Sequence, residues 1–378
     1  MLIATLLETA NETRVAITPQ SAKNFIKSGF EVAIERDAGL SAGFSDKVYQ
    51  DVGVTIFDNK QDLLKKTNLL LCINEPNPKE IEGLGKEAIL VAHVDNDPKS
   101  ELINFCTKNE ISLISMNLIP RISRAQSMDS LSSQANLAGY RAVLEAVNQF
   151  NRAVPMMMTA AGMIQPAKVL ILGAGVAGLQ AIATAKRLGA VVYAFDVRRA
   201  AKEQVESLGA EFIEVSQNED SETKGGYASE TSDEYKKLQG ELIDKYARLS
   251  DIVISTALIP GRPAPILLHK NTVLEMKPGS IIVDLATSRG GNCELSVANK
   301  TVRKDGVTII GISNMAGLVP ATASELYANN LVHLSKLLAA NPPEIHFNPD
   351  DEIIQQAVLC HKGKYLPFQK QTQEKNNA

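Results

Sequence analysis

The stretch Lys168-Val-Leu-Ile-Leu-Gly-Ala-Gly-Val-Ala-Gly178 decides how this chain folds. Four apolar residues, Val169–Leu172, read as a buried strand, and Val176–Leu188 carries a helical pattern directly after it. The glycines between meet three needs in order. Gly173 permits a tight turn, Gly175 lets backbone amides approach a pyrophosphate, and Gly178 lets helix and strand pack closely. The helix start at Val176 then offers partial positive charge to an anion. Asp196 ends the next strand-like run, Val191–Phe195. A carboxylate there accepts hydrogen bonds from adenosine ribose hydroxyls and repels a 2′-phosphate, so NAD(H) is expected over NADP(H). Arg198 and Arg199 could accommodate that phosphate; they read here as a solvated helix start. A glycine turn with no ligand is the plainer alternative.

Outward from this unit, β and α patterns alternate along the chain, which predicts an α/β fold of two doubly wound, Rossmann-like parallel sheets. Strands are expected at Leu2–Leu6, Glu31–Glu35, Val54–Phe57, Asn68–Cys72, Ala88–Ala92 and Ile111–Ser115. A second series follows at Lys168–Leu172, Val191–Phe195, Glu211–Val215, Ile252–Ser255, Ser280–Asp284 and Val307–Gly311. Thr18-Pro19 looks like an N-cap with proline at N1. A long helix from about Ser127 to Phe150 would leave the first domain, and another over Ser324–Ala340 would return to it. The expected domains are therefore 1–130 plus 335–378, discontinuous, and 131–334. The polar run Ser216–Ser232 is too long for an average connection and reads as a mobile or functional loop.

Between Pro120 and Asn136 the chain runs RISRAQSMDSLSSQA, after the apolar Ile111–Ile119. Donors and acceptors this dense at a strand's carboxyl end suit a polar ligand held from several sides. A helix start capped by Ser123 or Ser127 explains one serine only. The functional reading puts Arg121, Gln126, Asp129 and Ser132 across a cleft from the glycine loop, at the nicotinamide end. Tyr227, after Gly225-Gly226, has no core to enter and suits a closing role. Leu258, beyond Ile252–Ser255, is a candidate adenine or ribose contact. Asn292 and Cys293 read as a structural turn.

Composition excludes several classes. Hydrophobic residues at 44% and charged residues at 22% fit neither disorder nor a membrane protein. A net charge of −4 gives no footprint for nucleic acid. No apolar run approaches the roughly 18–20 residues that cross a bilayer. Met1 leads into a strand without a basic, apolar leader, so the chain reads as soluble and intracellular. Cys72, Cys106, Cys293 and Cys360 are too scattered for a metal site and are expected as buried thiols, and no histidine is assigned to a metal.

The motifs PRISRAQSMD, SSQANLAGYRAV, PMMMTAAG, GAGVAGLQAIATAKRLGA, KEQVESLGAEF, GGYA, TALIPGRPAP and GGNCELS together resemble the NAD(H)-binding component, domain I, of proton-translocating nicotinamide nucleotide transhydrogenases. The likeness covers nearly the whole chain and departs most after Leu338. It implies a component that binds NADH and passes hydride directly to NADP⁺ on a separate domain III. A membrane domain II would couple that step to proton translocation. It also implies a homodimer, cytoplasmic and peripheral on the cytoplasmic face of the inner membrane through its partner subunits, with no membrane insertion of its own. By resemblance Arg121 and Gln126 lie near the nicotinamide, with Ile122, Ser123, Asp129 and Ser132 as companions. Tyr227 matches a mobile-loop tyrosine. Val176, Asp196, Val197, Arg198, Gly226, Gln239 and Leu258 match NAD contacts. Hydride transfer between two nicotinamides needs no acid, base or metal on this chain, only C4 atoms held about 3–3.5 Å apart.

Alanine dehydrogenase, which looks similar, is the alternative, and Arg14 in ETRVAITP would there hold a substrate carboxylate. Its chemistry needs a lysine and a histidine as acid and base. This chain has Asn74 in NEP and Asp95 at those places, with His93 two positions early. A non-catalytic NAD-binding module is the third reading.

Overall fold

A computed structural model describes residues 1–9, 11–215, 233–259, 262–339, 347–348 and 350–366. The readings attached to Gly225, Gly226, Tyr227 and the run 216–232 lie outside these residues. Contacts divide the chain into a first unit, Met1–Gln134 with Val319–Ala378, and a second, Ala135–Leu318.

The first unit opens with β1 (Leu2–Thr5), α1 (Pro19–Lys27), β2 (Glu31–Glu35), α2 (Asp46–Gln50) and β3 (Thr55–Phe57). It continues with α3 (Lys60–Lys66), β4 (Leu69–Asn74), β5 (Ile89–His93), α4 (Glu101–Lys108) and β6 (Ser112–Ser115). Helix α5 (Ser130–Gln149) and the hairpin β7 (Met157–Thr159) and β8 (Gly162–Ile164) follow. Next come β9 (Lys168–Leu172), α6 (Val176–Arg187), β10 (Val191–Phe195), α7 (Ala201–Ser207) and β11 (Glu211–Phe212). The second unit closes with α8 (Asp233–Leu249), β12 (Ile252–Ser255), α9 (Lys270–Leu274), β13 (Ile281–Asp284), β14 (Thr301–Lys304) and β15 (Val307–Ile310). Helices α10 (Pro320–Leu338) and α11 (Glu352–Ala357), then β16 (Val358–His361) and β17 (Lys364–Tyr365), belong to the first unit.

The first sheet has the order β17-β16-β6-β5-β4-β1-β2-β3, parallel from β3 to β6 and antiparallel beyond. Its central strands are apolar throughout because both faces are covered. Leu71, Val91 and Ile114 meet α1 and α10 through Phe25, Tyr327 and Leu331. Leu70, Leu90 and Leu113 meet α3 and α4 through Leu63, Leu102 and Ile103. Thr18 caps α1 in a capping box with Ser21, and Pro19 opens the helix, as the sequence led us to expect.

The second sheet repeats the plan as β11-β10-β9-β12-β13-β15-β14, parallel except for β14. In both sheets the order reverses beside the sheet's own first strand, β1 against β4 and β9 against β12. Such a switch point opens a crevice at the strands' carboxyl ends, where α/β proteins take ligands.

Four differences from the sequence reading are informative. The long central helix begins at Ser130 rather than near Ser127, because Ser123–Met128 is 3-10 turn. The strand expected through Val215 ends at Phe212. Helix α10 falls wholly in the first unit, where Tyr327, Leu331, Leu334 and Leu338 join its core; a boundary at 335 cuts through that helix. The short β7–β8, β14 and β16–β17 pairs carry no periodicity of their own and were not foreseen.

Candidate functional site

The glycine loop follows β9 with the geometry its residues dictate. Gly173 has φ +95°, and its N–H donates to the Phe195 carbonyl at 2.8 Å. A Cβ on Gly178 would stand 1.8 Å from the Gly173 carbonyl oxygen, so helix and turn could not close with any side chain there. Gly175 differs: a Cβ would meet nothing within 4 Å. The fold gives no internal reason for glycine at 175, which caps α6 with no side-chain hydrogen bond. Open space above uncapped helix amides is what an approaching anion requires. The site therefore fits a dinucleotide's pyrophosphate.

Asp196 lies directly beside this loop. The Ala174 N–H donates to its Oδ2 at 2.7 Å, tying the strand β10 end to the turn. Arg198 donates from its backbone N–H and Nε to Oδ1 at 2.8 and 2.9 Å, and from Nη2 to Oδ2 at 2.9 Å. The reading of Arg198 as a solvated helix start is corrected: its guanidinium is folded onto the carboxylate, because the i, i+2 turn brings the two side chains together. Arg199 is exposed. Val176 and Leu258 leave 38% and 44% of their surface open although both are apolar, and Val197 and Gln239 are half-buried.

In the first unit, Pro120, Arg121, Ile122, Gln126, Asp129 and Ser132 line one cavity of about 380 Å³. The polar segment is not uniformly available to a ligand. Arg124 is spent on a bidentate pair with Asp351, at 2.7 and 3.1 Å, and Asn330 of α10 donates to the Ser127 carbonyl at 2.8 Å. Ala125 and Met128 are buried. Asp129, rather than Ser123 or Ser127, caps α5: the Ser132 N–H donates to its Oδ1 at 2.9 Å and the Ser132 hydroxyl to its Oδ2 at 2.5 Å. Of the lining residues, Arg121 and Gln126 are exposed; Ser123 is also exposed but lies outside the lining.

Residues 6–138 match the alanine dehydrogenase/PNT N-terminal domain and residues 142–367 its C-terminal domain. This chain belongs to the alanine dehydrogenase/PNT family. It is 48% identical to the first portion of the NAD(P) transhydrogenase alpha subunit of Rhodospirillum rubrum over 329 residues, 85% of this chain and 86% of that one. A solved transhydrogenase from Sinorhizobium meliloti shares 42% identity at a TM-score of 0.84, covering 96% of this chain and 98% of that chain. A solved L-alanine dehydrogenase shares 25% at 0.80, covering 97% of each. The resemblance to transhydrogenases and the doubly wound α/β architecture are both borne out.

In the alanine dehydrogenase alternative Arg14 would hold the substrate carboxylate, and here Arg14 is bonded to the protein itself. Its Nε and Nη2 donate to Glu12 at 2.8 and 2.7 Å, and its Nη1 to Gln134 at 2.8 Å. Asn74 donates to the same Glu12 at 2.8 Å. Burial works to raise Glu12, but the Arg14 guanidinium outweighs it and holds the carboxyl at about 2. Burial pushes the His93 imidazole down to about 4, against the opposing hydrogen bond that its Nδ1–H donates to the Asn117 Oδ1 at 2.7 Å. Glu8 goes the other way: burial raises it to about 7, although the Ile73 N–H donates to it at 2.5 Å. Sequence reading missed Glu8 and Glu12, whose signal was only two more acids among polar neighbours.

All four cysteines are buried free thiols, as expected. Among the described residues no group of three or more His, Cys, Asp or Glu could hold a metal, and no helix is long and apolar enough to cross a membrane.

Proposed function

We propose that this chain is the NAD(H)-binding component of a proton-translocating transhydrogenase. It would hold NADH while hydride passes to NADP⁺ on a partner domain III, and a membrane partner would couple the exchange to proton movement. NADH supplies the hydride, leaving NAD⁺ here and NADPH on the partner. The chain's own residues bind and orient. The α6 amides above Gly175 take the pyrophosphate, and Asp196 takes the adenosine ribose hydroxyls. Val176, Val197, Gln239 and Leu258 flank the nucleotide; Arg121, Ile122, Ser123, Gln126 and Ser132 serve the nicotinamide end, with Asp129 holding their helix start. Gly226 and Tyr227 complete the contact set.

The observation that carries this reading over alanine dehydrogenase is the closed pairing of Arg14 with Glu12 and Gln134. A guanidinium with three of its five N–H groups already engaged is a weaker clamp for a substrate carboxylate, and Asn74 cannot act as acid or base. Titration with NADH and NADPH tests the first step. NADH should bind more tightly; a preference for NADPH contradicts the role of Asp196.

A homodimer fits the hairpin β7–β8, every residue of which is exposed, Met158 by 76%. An isolated two-stranded ribbon is marginal in water, and residues 153–167 carry no charge, so a second copy of the chain is the occupant we propose. Sedimentation should give a dimer, and Met158→Lys should shift it toward monomer; an unshifted dimer removes the hairpin from the interface. Attachment to the cytoplasmic face of the inner membrane would come through the partner subunits.

A further inference from the structure

Asp284, the last residue of β13, is fully buried and is satisfied from its own turn. Its Oδ1 accepts from the Ala286 N–H at 3.0 Å, and its Oδ2 from the Asn292 and Cys293 N–H groups at 2.9 and 3.0 Å and the Ser296 hydroxyl at 2.7 Å. These bonds fold Gly290-Gly291-Asn292 back over the strand end. Gly291 is required there, since φ is +88° and a Cβ would lie 2.7 Å from the Asp284 carboxylate.

The fold thereby delivers Asn292, with no exposed surface, to the segment that follows β12. Its carbonyl accepts from the Leu267 and Leu268 N–H groups at 2.8 and 3.0 Å. Its side-chain amide takes both polar groups of Ala257: the Ala257 N–H donates to Oδ1 at 3.0 Å, and Nδ2 donates to the Ala257 carbonyl at 2.9 Å. The second Nδ2 proton goes to the Pro265 carbonyl at 2.8 Å. On the other side Thr256 donates its hydroxyl to the Gly173 carbonyl at 3.0 Å. The backbone leading into Leu258 is thus pinned from two directions, once to the glycine loop and once to Asn292.

We infer that Asn292 is a positioning residue of the nucleotide site, holding Ala257 so that Leu258 stands pre-set beside the glycine loop. This deepens, and rests on, the NAD(H) reading above. The chemistry is specific to a primary amide. Aspartate would lose both donors and set a carboxylate against two carbonyl oxygens, and leucine would keep the volume while leaving three part-buried backbone groups without this partner.

The test uses the full chain. If wild type fails to bind NADH, the functional reading falls and this inference with it. If wild type binds, Asn292→Leu and Asn292→Asp, assayed by NADH fluorescence at a temperature where circular dichroism shows each folded, should weaken NADH about tenfold or more. An unchanged Kd in a folded variant overturns the inference, because a merely structural role lowers the melting temperature without moving the Kd of folded protein. Hydrogen exchange on the wild type covers the case where neither variant folds. The Ala257 amide should be protected equally with and without NADH; protection that appears only with NADH contradicts pre-setting.

Discussion

At Asp196 the fold resolves a conflict that the sequence poses. The carboxylate proposed to discriminate against a 2′-phosphate is held by Arg198, whose charge would welcome one. On that proposal ribose hydroxyls would share Asp196 with the guanidinium, and selectivity would depend on how far Arg198 neutralises it. Asp196→Asn should cut the preference for NADH over NADPH by about tenfold, roughly 1.4 kcal/mol of differential binding, as read by titration with both nucleotides. An unchanged ratio would place the discrimination elsewhere. Gln126→Asn, one methylene shorter at the exposed lip of the cavity, should slow hydride transfer in the reconstituted complex with little change in NADH affinity. A large loss of affinity at an unchanged rate contradicts its role. Protonation gives a further check. Glu8 is raised from 4.5 to about 7, so its contribution is full below pH 4.5 and is lost as pH climbs through 7. Lowered from 6.5 to about 4, His93 gives stability that is lost as pH falls from 6.5 toward 4. Acidification from pH 7 to 5 therefore gains from Glu8 and loses from His93. Glu8→Gln removes the gain, and urea midpoints should fall more steeply over that interval than in wild type; parallel slopes would contradict this. Of these residues Asp196 and the glycines were legible, since strand, turn and helix lie in one contiguous stretch. Arg198 was misread because a side chain that folds back onto its neighbour has the same sequence as one in solvent.

At the scale of elements, the fully covered parallel strands were legible as apolar runs, and α1 as a Thr-Pro start. The edge pieces were not. Strands β14, β16 and β17 exist because a neighbour offers a free edge, and no local pattern records that partner. The start of α5 shows the same limit. RISRAQSMD held several candidate caps, and the 3-10 turn over Ser123–Met128 moved the cap to Asp129. Asp129→Ala should cost about 1 kcal/mol in denaturant unfolding, while Asp129→Asn, which keeps an acceptor, should cost less. Equal losses would show that the negative charge, not the cap, matters there.

For the whole molecule, one plan is used twice: each sheet reverses its strand order beside its own first strand. The two sheets differ in what stands at their carboxyl ends. In the second unit that edge carries an open glycine loop, Asp196 and a backbone pinned by Asn292. Its counterpart in the first unit is closed by Glu12, Arg14, Asn74 and Gln134 bonded to one another, and the exposed donors have moved to the segment around Gln126. Alternation of β and α made the plan legible from the chain. The closure was not, because it joins residues as far apart as Arg14 and Gln134, and only folding brings them together. On the proposed reading, the open glycine loop of the second unit would hold NADH for presentation to another protein. The direct measurement loads the chain with NADH deuterated at C4 and mixes it with a domain III protein carrying NADP⁺. Deuterium should appear in NADPH at a rate set by the complex, with no deamination of alanine by the chain alone. Absence of label in NADPH, or NAD⁺-dependent deamination of alanine, would contradict the assignment.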